Sequence, residues 1–219
     1  MTTMLPPPEF PIQDRAERKE ADRERVRQSI LDAAGQMLLE EGPHALSMRR
    51  LAERIQASTI VLYTHFRDKP AIVDALFRDG FERLRADLEA VPLAAEPMER
   101  VLALGRAYRQ SALANAARYQ VMFTRCVPGF EPSAESLAVS QRCFEILRDA
   151  VQAVFDAGHP LADSVAHTTQ VLWGTLHGLI SLELFGYLGS TGSGEQRLEQ
   201  AMQLLRAGIP SVSTSRKKP

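Results

Sequence analysis

The chain has 219 residues, of which 45% are hydrophobic and 24% are charged. This balance is typical of a folded protein with one large or two small domains, and it argues against a mostly disordered chain. Lys and Arg number 26 against 27 for Asp and Glu, so the net charge offers no argument for nucleic-acid binding. Any contact with DNA must therefore come from specific positions.

The two cysteines, Cys126 and Cys143, show neither CxxC nor Cys/His spacing, so we expect no disulfide framework and no metal site. The N-terminal region has no apolar segment typical of a signal peptide. The most apolar stretch, residues 171–188, contains polar side chains such as His177 and Glu183. It therefore predicts a buried helix rather than a membrane span. We expect a cytoplasmic protein with no membrane partner.

Residues 1–21 are predicted to form a flexible N-terminal arm. Four prolines between positions 6 and 11 block regular structure, and the charged run that follows has no apolar face. The first packed helix is expected to begin near Asp22 and to end at Gly42-Pro43. Its apolar stripe at helical spacing consists of Ile30, Ala34, Met37 and Leu38.

Three further helices follow at short intervals. Ser47 is the predicted N-cap of the second helix, and Ser58 that of a third helix over about residues 59–64. The two are joined by a tight turn around Gln56-Ala57. Asp68 is expected to cap a long fourth helix that ends before Pro92.

The rest of the chain, as far as Ala207, predicts further helices and no alternating strand pattern. The next long helix is expected to use Leu137, Gln141, Phe144, Leu147, Val151 and Phe155. Two more helices are predicted, over Asp163 to Tyr187 and over Glu195 to Ala207, and residues 210–219 are expected to be a disordered tail. The predicted fold class is all-α, with about nine helices.

Three short helices followed by a long one, with a tight turn between the second and third, form the helix-turn-helix arrangement that enters a major groove. Ser47-Met48-Arg49-Arg50-Leu51-Ala52, Ser58 and Leu62-Tyr63-Thr64-His65-Phe66-Arg67-Asp68-Lys69 closely resemble the motif of the TetR family of bacterial transcriptional regulators. The resemblance implies a DNA-binding domain at residues 22–70 and an effector-binding and dimerisation domain at 71–209. Where the family usually has Gly-Val, this chain has Gln56-Ala57, which would strain Gln56 if that position needs a positive φ.

Several side chains of this motif are predicted to contact DNA. Arg49 begins the second helix, where its guanidinium can reach phosphates, whereas Arg50 could equally be a solvated charge. Thr59, Ile60 and Val61 are expected to face the bases, where apolar groups fit thymine methyl groups. Val61 could instead fill the domain core.

The resemblance further implies that Tyr63, His65 and Lys69 contact the DNA backbone, and each can donate a hydrogen bond to phosphate oxygens. The alternative for Tyr63 and His65 is packing within the small domain. The Ser47 hydroxyl could serve as both a helix cap and a phosphate donor. The complete predicted DNA-contacting set is Ser47, Met48, Arg49, Ser58, Thr59, Ile60, Val61, Tyr63, His65 and Lys69.

In the C-terminal half, the run from Trp173 to Gly178 resembles a W-x-x-x-H-G pattern of one TetR subgroup. Trp173 and His177 lie four residues apart, so both could line one cavity. Aromatic residues from three other helices could complete an apolar pocket, although such residues are often ordinary core, and His177 could be a satisfied core histidine. The predicted effector-binding residues are Tyr108, Tyr119, Phe123, Phe144, Trp173 and His177.

The last two helices carry more apolar surface than one subunit needs. Pairing with a second copy as a four-helix bundle would bury this surface and give a homodimer. The predicted interface residues are Leu176, Leu179, Leu184, Leu198, Met202 and Leu205.

The predicted function is a ligand-responsive repressor that binds a palindromic operator in double-stranded DNA as a dimer and is released by a small apolar or aromatic effector. No HExxH, GxSxG or dinucleotide motif is present, so neither an enzyme nor a cofactor is expected. Two alternatives remain open: a helical-bundle enzyme that acts on its bound ligand, and a protein that acts mainly through a protein partner.

Overall fold

The computed structural model describes residues 12–93, 96–124, 126–159, 164–189 and 192–207. Over these ranges the chain forms nine α-helices and no strand, which confirms the predicted all-α class. The helices are α1 (Ile12–Glu41), α2 (Met48–Arg54), α3 (Thr59–His65), α4 (Lys69–Glu89), α5 (Pro97–Ala114), α6 (Ala116–Phe123), α7 (Ala134–Asp156), α8 (Val165–Leu184) and α9 (Gly194–Ala207). The predicted tail, residues 210–219, lies outside the described residues.

The first helix differs from the prediction at its start. Residues 1–11 of the predicted arm lie outside the described residues, but residues 12–21 are helical, so a flexible arm is wrong there. Residues 15–26 are all exposed, and burial begins at Ile30 and Leu31. Arg25 pairs with Asp22 at 3.3 Å, one turn away. Because charged residues with long, straight side chains are good helix formers, they can extend a packed helix without an apolar face.

The predicted caps of the helix-turn-helix are present, with one exception. The Ser47 hydroxyl accepts a hydrogen bond from the Arg50 amide at 3.3 Å, and the Asp68 carboxylate accepts one from Ala71 at 2.9 Å. Ser58 occupies the N-cap of α3 without a side-chain hydrogen bond to the helix. Gln56, in the turn, has φ +54°. This is the left-handed backbone conformation that would strain a residue other than glycine.

Helix α4 connects the two halves of the molecule. It contacts α1 as well as α5, α6 and α7. Leu76 packs near Gly35 of α1, while the Phe81 carbonyl accepts a hydrogen bond from the Cys143 thiol of α7 at 3.2 Å. A Cβ at Gly80 would lie 2.5 Å from the Met122 sulfur, so glycine permits the close approach of α6.

Helix α7 faces the core with a different stripe from the predicted one. Leu137 and Phe155 are exposed, and Gln141 is exposed as well. The buried side chains are Ser136, Val139, Cys143, Ala150, Val151 and Val154. Val151 belongs to both stripes, and the other buried positions lie mostly one residue before the predicted ones. Small residues face inward because α7 packs closely against α4, as the bond between Cys143 and the Phe81 carbonyl shows.

A buried charge cluster joins α1, α4 and α6. Arg118 of α6 contacts Asp79 of α4 and pairs with Asp32 of α1 at 2.6 Å. Arg83 donates to Asp79 at 2.9 Å, and Gln28 donates to it at 3.2 Å. Burial alone would raise the pKa of Asp79, but the hydrogen bonds from Arg83 and Arg118 hold it below its ordinary value. The cluster therefore stays charged at neutral pH and fixes α6 against α1 and α4.

Candidate functional site

Helix α3 presents one face to solvent and the other to the small domain. Leu62 and Phe66 are buried. Ile60 is 75% exposed and Tyr63 is 56% exposed, although both side chains are largely apolar. Thr59 and Thr64 are exposed as well, whereas Val61 and His65 are half-buried. Thr59, Ile60 and Tyr63 are therefore accessible to a DNA groove, whereas Val61 and His65 are only partly accessible.

The cations around α3 differ in their availability. Arg49 is exposed, and among the described residues its ion pair is with Glu53 of its own helix, at 3.0 Å. Arg50 instead turns back to α1, where it donates to Glu41 at 2.5 Å and to the Ala45 carbonyl at 3.3 Å. It is therefore neither a freely solvated charge nor a side chain directed at α3.

Besides the helix cap Ser47, Lys69 and Met48 of the predicted DNA-contacting set also have structural roles. Lys69 donates to the Pro43 carbonyl at 2.9 Å and so holds the loop between α1 and α2 against the start of α4. Its ammonium has three N–H groups, and a single carbonyl uses one of them. Met48 packs against the hydrophobic core. Its side chain therefore contributes to the domain interior.

The C-terminal half encloses a cavity of about 430 Å³ between α4, α5, α6, α7 and α8. This volume is in the range of small-molecule sites. Four of the six predicted effector residues line it, namely Tyr108, Phe123, Phe144 and Trp173. The Trp173 ring centroid lies 6.2 Å from those of both Phe123 and Phe144. Apolar side chains of α4, α5, α7 and α8 complete the wall, and Ser140, Gln141, Glu145 and Arg148 of α7 form its polar edge.

Tyr119 and His177 are not among the described lining residues of the cavity, but they contact residues that are. The Tyr119 hydroxyl lies 2.7 Å from His177 Nδ1, and the Tyr108 hydroxyl lies 3.2 Å from the same nitrogen. Burial lowers the pKa of His177 and raises those of both tyrosines. These hydroxyls and the imidazole, together with Ser181, form a polar cluster that is uncharged at neutral pH.

Three predicted interface residues lie inside the protomer. Leu176, Leu198 and Met202 are buried, because α8 and α9 pack on α5, where Leu176 and Met202 approach Gly105. These three residues are therefore corrected from interface to core. Leu179 and Leu184 are half-buried, and the side chain of Leu205 lies outside the described residues. The exposed apolar side chains of these helices and of the turn after α8 are Val171, Trp173, Leu182, Phe185, Tyr187 and Leu204.

The sequence reasoning missed the contribution of α4 to the cavity. Phe81, Leu84 and Leu88 line it. The available signal was the spacing of these residues, which places them on one face of the helix after the part that packs on α1. The predicted stripe of α7 contained Gln141, Phe144 and Leu147 of the lining, but it left out the polar residues Ser140, Glu145 and Arg148.

None of the helices in the described ranges combines the length and hydropathy that a bilayer span requires. In the same part of the chain, no three His, Cys, Asp or Glu side chains gather as a metal site would require.

Comparisons with known proteins agree with this architecture. A family model described as "Bacterial regulatory proteins, tetR family" matches residues 30–76, and one described as "Tetracyclin repressor-like, C-terminal domain" matches residues 101–205. The chain is 24% identical over 197 residues to the HTH-type transcriptional regulator Rv1816 of Mycobacterium tuberculosis, covering 77% of this chain and 84% of the relative.

Two solved structures share the fold. A protein with unknown function from Rhodococcus sp. RHA1 is 26% identical with a TM-score of 0.72, and the match covers 84% of this chain and 95% of that one. The TetR family transcriptional regulator PfmR of Thermus thermophilus is 22% identical with a TM-score of 0.68, covering 83% and 98%. The family and the curated relative are transcriptional regulators rather than enzymes. This chain belongs to the TetR family of DNA-binding, helix-turn-helix transcriptional regulators.

Proposed function

We propose that the protein is a ligand-responsive repressor that binds a palindromic operator as a homodimer in the cytoplasm. In this proposal residues 22–70 bind DNA, and residues 71–209 bind the effector and dimerise. A small apolar or aromatic effector in the cavity lowers operator affinity. The observation that carries the proposal is the position of α4, which begins beside α3 at Lys69 and lines the cavity through Phe81, Leu84 and Leu88.

The 21 residues of α4 form a rod of about 30 Å at about 1.5 Å per residue. A ligand that displaces the cavity end of this rod also moves the end that carries the DNA-binding domain. In a dimer the displacement changes the spacing of the two recognition helices and so the fit to successive major grooves. Linkage then requires operator DNA to weaken effector binding by the same factor.

Selection of bound sequences from random DNA tests the DNA-binding part. We expect an inverted repeat, because a two-fold dimer presents two copies of α3 to the duplex. A selected site without two-fold symmetry, or no selected site, would contradict this part of the proposal.

The contacts are tested on the selected operator. Tyr63→Phe and Lys69→Ala should both weaken binding to all DNA sequences. Lys69→Ala should also reduce the slope of log affinity against log salt concentration by about one unit. If Lys69 serves only to hold the Pro43 loop, the variant loses stability but keeps the wild-type slope. Arg85→Ala, on the same helix but paired with Glu89 far from α3, is the control with an unchanged slope.

Ile60 is the sharper test of base contact because it is the most exposed apolar residue of α3. Uracil in place of the contacted thymine should weaken wild-type binding, and Ile60→Ala should remove the difference between the two DNAs. Equal wild-type affinity for both DNAs would rule out the contact with a thymine methyl group.

The proposed dimer uses the exposed apolar face of α8 and the turn after it. Leu182→Asp with Phe185→Asp should convert a dimer into a monomer, because pairing would bury unpartnered carboxylates. Leu198→Asp is the contrasting variant: it should unfold the subunit, since Leu198 lies in the core. A scattering mass near 24.3 kDa for the wild-type protein would refute the dimer.

Effector binding is tested with Trp173→Ala and Phe144→Ala. Both variants should bind the operator like the wild type but lose the response to a ligand that releases it. Release of both variants at wild-type ligand concentrations would contradict the cavity assignment.

A further inference from the structure

The polar cluster behind the cavity holds more hydroxyl protons than well-placed acceptors. Two tyrosine hydroxyls approach one nitrogen, His177 Nδ1, with Tyr119 at 2.7 Å and Tyr108 at 3.2 Å. A neutral imidazole has one donor nitrogen and one acceptor nitrogen, and the acceptor has a single lone pair. The closer hydroxyl, that of Tyr119, therefore takes this acceptor when Nδ1 is unprotonated.

The other tautomer leads to the same shortage. If Nδ1 carries the proton, it donates to Tyr119, whose own proton can turn to Ser181 at 3.3 Å. The Tyr108 hydroxyl is then left with the Tyr119 oxygen at 3.4 Å. Hydroxyl hydrogen bonds to oxygen are normally between about 2.5 and 3.0 Å long. With Tyr119 bonded to Nδ1 in either tautomer, the Tyr108 proton therefore has no acceptor within this range among the described groups of the cluster.

Tyr108 is buried and lines the cavity, so a molecule in the cavity can supply the missing acceptor. Its hydroxyl lies beside His177, whose ring is 4.8 Å from that of Phe123 and 5.7 Å from that of Trp173, both on the cavity wall. Among the described lining residues only Glu145 and Arg148 are charged, and both lie on α7, at the polar edge of the cavity. Arg148 is therefore the one cation among the described lining residues, and the acidic Glu145 lines the same cavity.

We propose that the cavity selects a neutral, largely apolar ligand with a carbonyl-type oxygen that accepts the Tyr108 hydroxyl proton. The inference rests on the proposed function of the cavity as the effector site and adds the chemical class of its ligand. Tyr119 acts as a positioning residue, because it occupies His177 and leaves the Tyr108 proton for the ligand. An apolar wall alone would favour a hydrocarbon over a ketone of the same shape, because it would bury the carbonyl without a hydrogen bond.

The test uses two pairs of probes that differ only in C=O against C=CH₂: cyclododecanone with methylenecyclododecane, and 2-undecanone with 2-methyl-1-undecene. Binding to the full-length protein is followed by the fluorescence of Trp173, the single tryptophan, and by calorimetry. We expect the better-fitting ketone to bind roughly fivefold more tightly than its alkene partner, as one additional neutral hydrogen bond provides. Decanoate should bind no better than the ketones.

Two tyrosine variants test whether the Tyr108 hydroxyl causes the ketone preference. Tyr108→Phe should lose the ketone preference, because the buried carbonyl then has no donor and its desolvation is not compensated. Tyr119→Phe frees the His177 nitrogen for Tyr108, so it should also reduce the ketone preference although it lies behind the wall. The matched control is Phe144→Leu, which should weaken both probes and keep the preference.

The outcomes distinguish the inference from the proposed function. If no probe binds the wild-type protein, the effector cavity itself is wrong. If ketone and alkene bind the wild type equally, or if decanoate binds most tightly, the cavity binds ligands but the inferred class is overturned. If the preference survives Tyr108→Phe, the acceptor contact is made elsewhere and the role of Tyr108 is refuted.

Discussion

Replacing Arg118 by methionine should be among the most destabilising single changes in this chain. The Arg118 side chain is 10% exposed, and it pairs with Asp79, which is 9% exposed, and with Asp32, which is 56% exposed. Arg118→Met removes both pairs but leaves Asp79 its contact with Arg83. Breaking a buried pair costs about 3–5 kcal/mol when the remaining charge has no other partner.

The retained contact with Arg83 lowers this cost, and the exposed pair with Asp32 adds at most about 1 kcal/mol. We therefore expect a loss of about 3 kcal/mol in the free energy of unfolding, or roughly 6–12 °C in Tm for a chain of this length. The measurement is urea and thermal unfolding followed by helical circular dichroism. Protein concentration must be fixed, because an assembling protein gains stability with concentration.

The control is Arg85→Met, which breaks an exposed pair with Glu89 one turn away and should cost only about 0.3–0.5 kcal/mol. The double variant Asp79→Asn with Arg118→Met should lose less than the sum of its single variants, by roughly 1–3 kcal/mol, because neither charge of the buried pair is left without the other. The reasoning is refuted if Arg118→Met costs no more than Arg85→Met, or if the two single losses simply add.

Three further predictions concern other residues. Gln56→Gly should stabilise the protein by about 0.5 kcal/mol, because the gain from relieving the left-handed strain exceeds the entropy that glycine adds to the unfolded chain. Gln56→Val should destabilise it, and thermal unfolding of both variants measures the sign of each change. Because burial lowers the pKa of His177, the unfolded chain takes up that proton first as the pH falls through about 6.5. Stability should therefore fall between pH 7 and pH 5, and the fall should be smaller in His177→Gln; an equal fall would contradict the assignment. Burial raises the pKa of the Cys143 thiol to about 12, so iodoacetamide at pH 8 should modify it in urea but not in the native protein, as mass spectrometry can measure.

The helix-turn-helix could be predicted from the sequence because its signals are local. Ser47 and Asp68 lie within three residues of the amides they cap, and Leu62 and Phe66 repeat at helical spacing. The bond between Lys69 and the Pro43 carbonyl joins positions 26 apart, and no periodicity encodes such a contact. The pairing of Arg118 with Asp32 could not be predicted either, because the two residues lie 86 positions apart in the sequence.

The cavity was predicted in part. Aromatic residues at helical spacing indicated Tyr108, Phe123, Phe144 and Trp173, but spacing cannot tell a cavity wall from the layer behind it, where Tyr119 and His177 lie. The interface prediction failed for Leu198 because an apolar stripe can face its own subunit or another one. Only the packing of α9 on α5 decides between these possibilities.

The charge cluster has a consequence for engineered hybrid regulators. The two family models leave residues 77–100 unmatched, which makes the middle of α4 an attractive point for joining the N-terminal part of one regulator to the C-terminal part of another. A junction before Asp79 would take Asp32 from one parent and Asp79 and Arg118 from the other. If the first parent lacks an acid at the position of Asp32, Arg118 loses its ion pair with α1, and this contact no longer holds α6 against the DNA-binding half. Transplanted sensors of this kind should therefore carry all three residues from one parent.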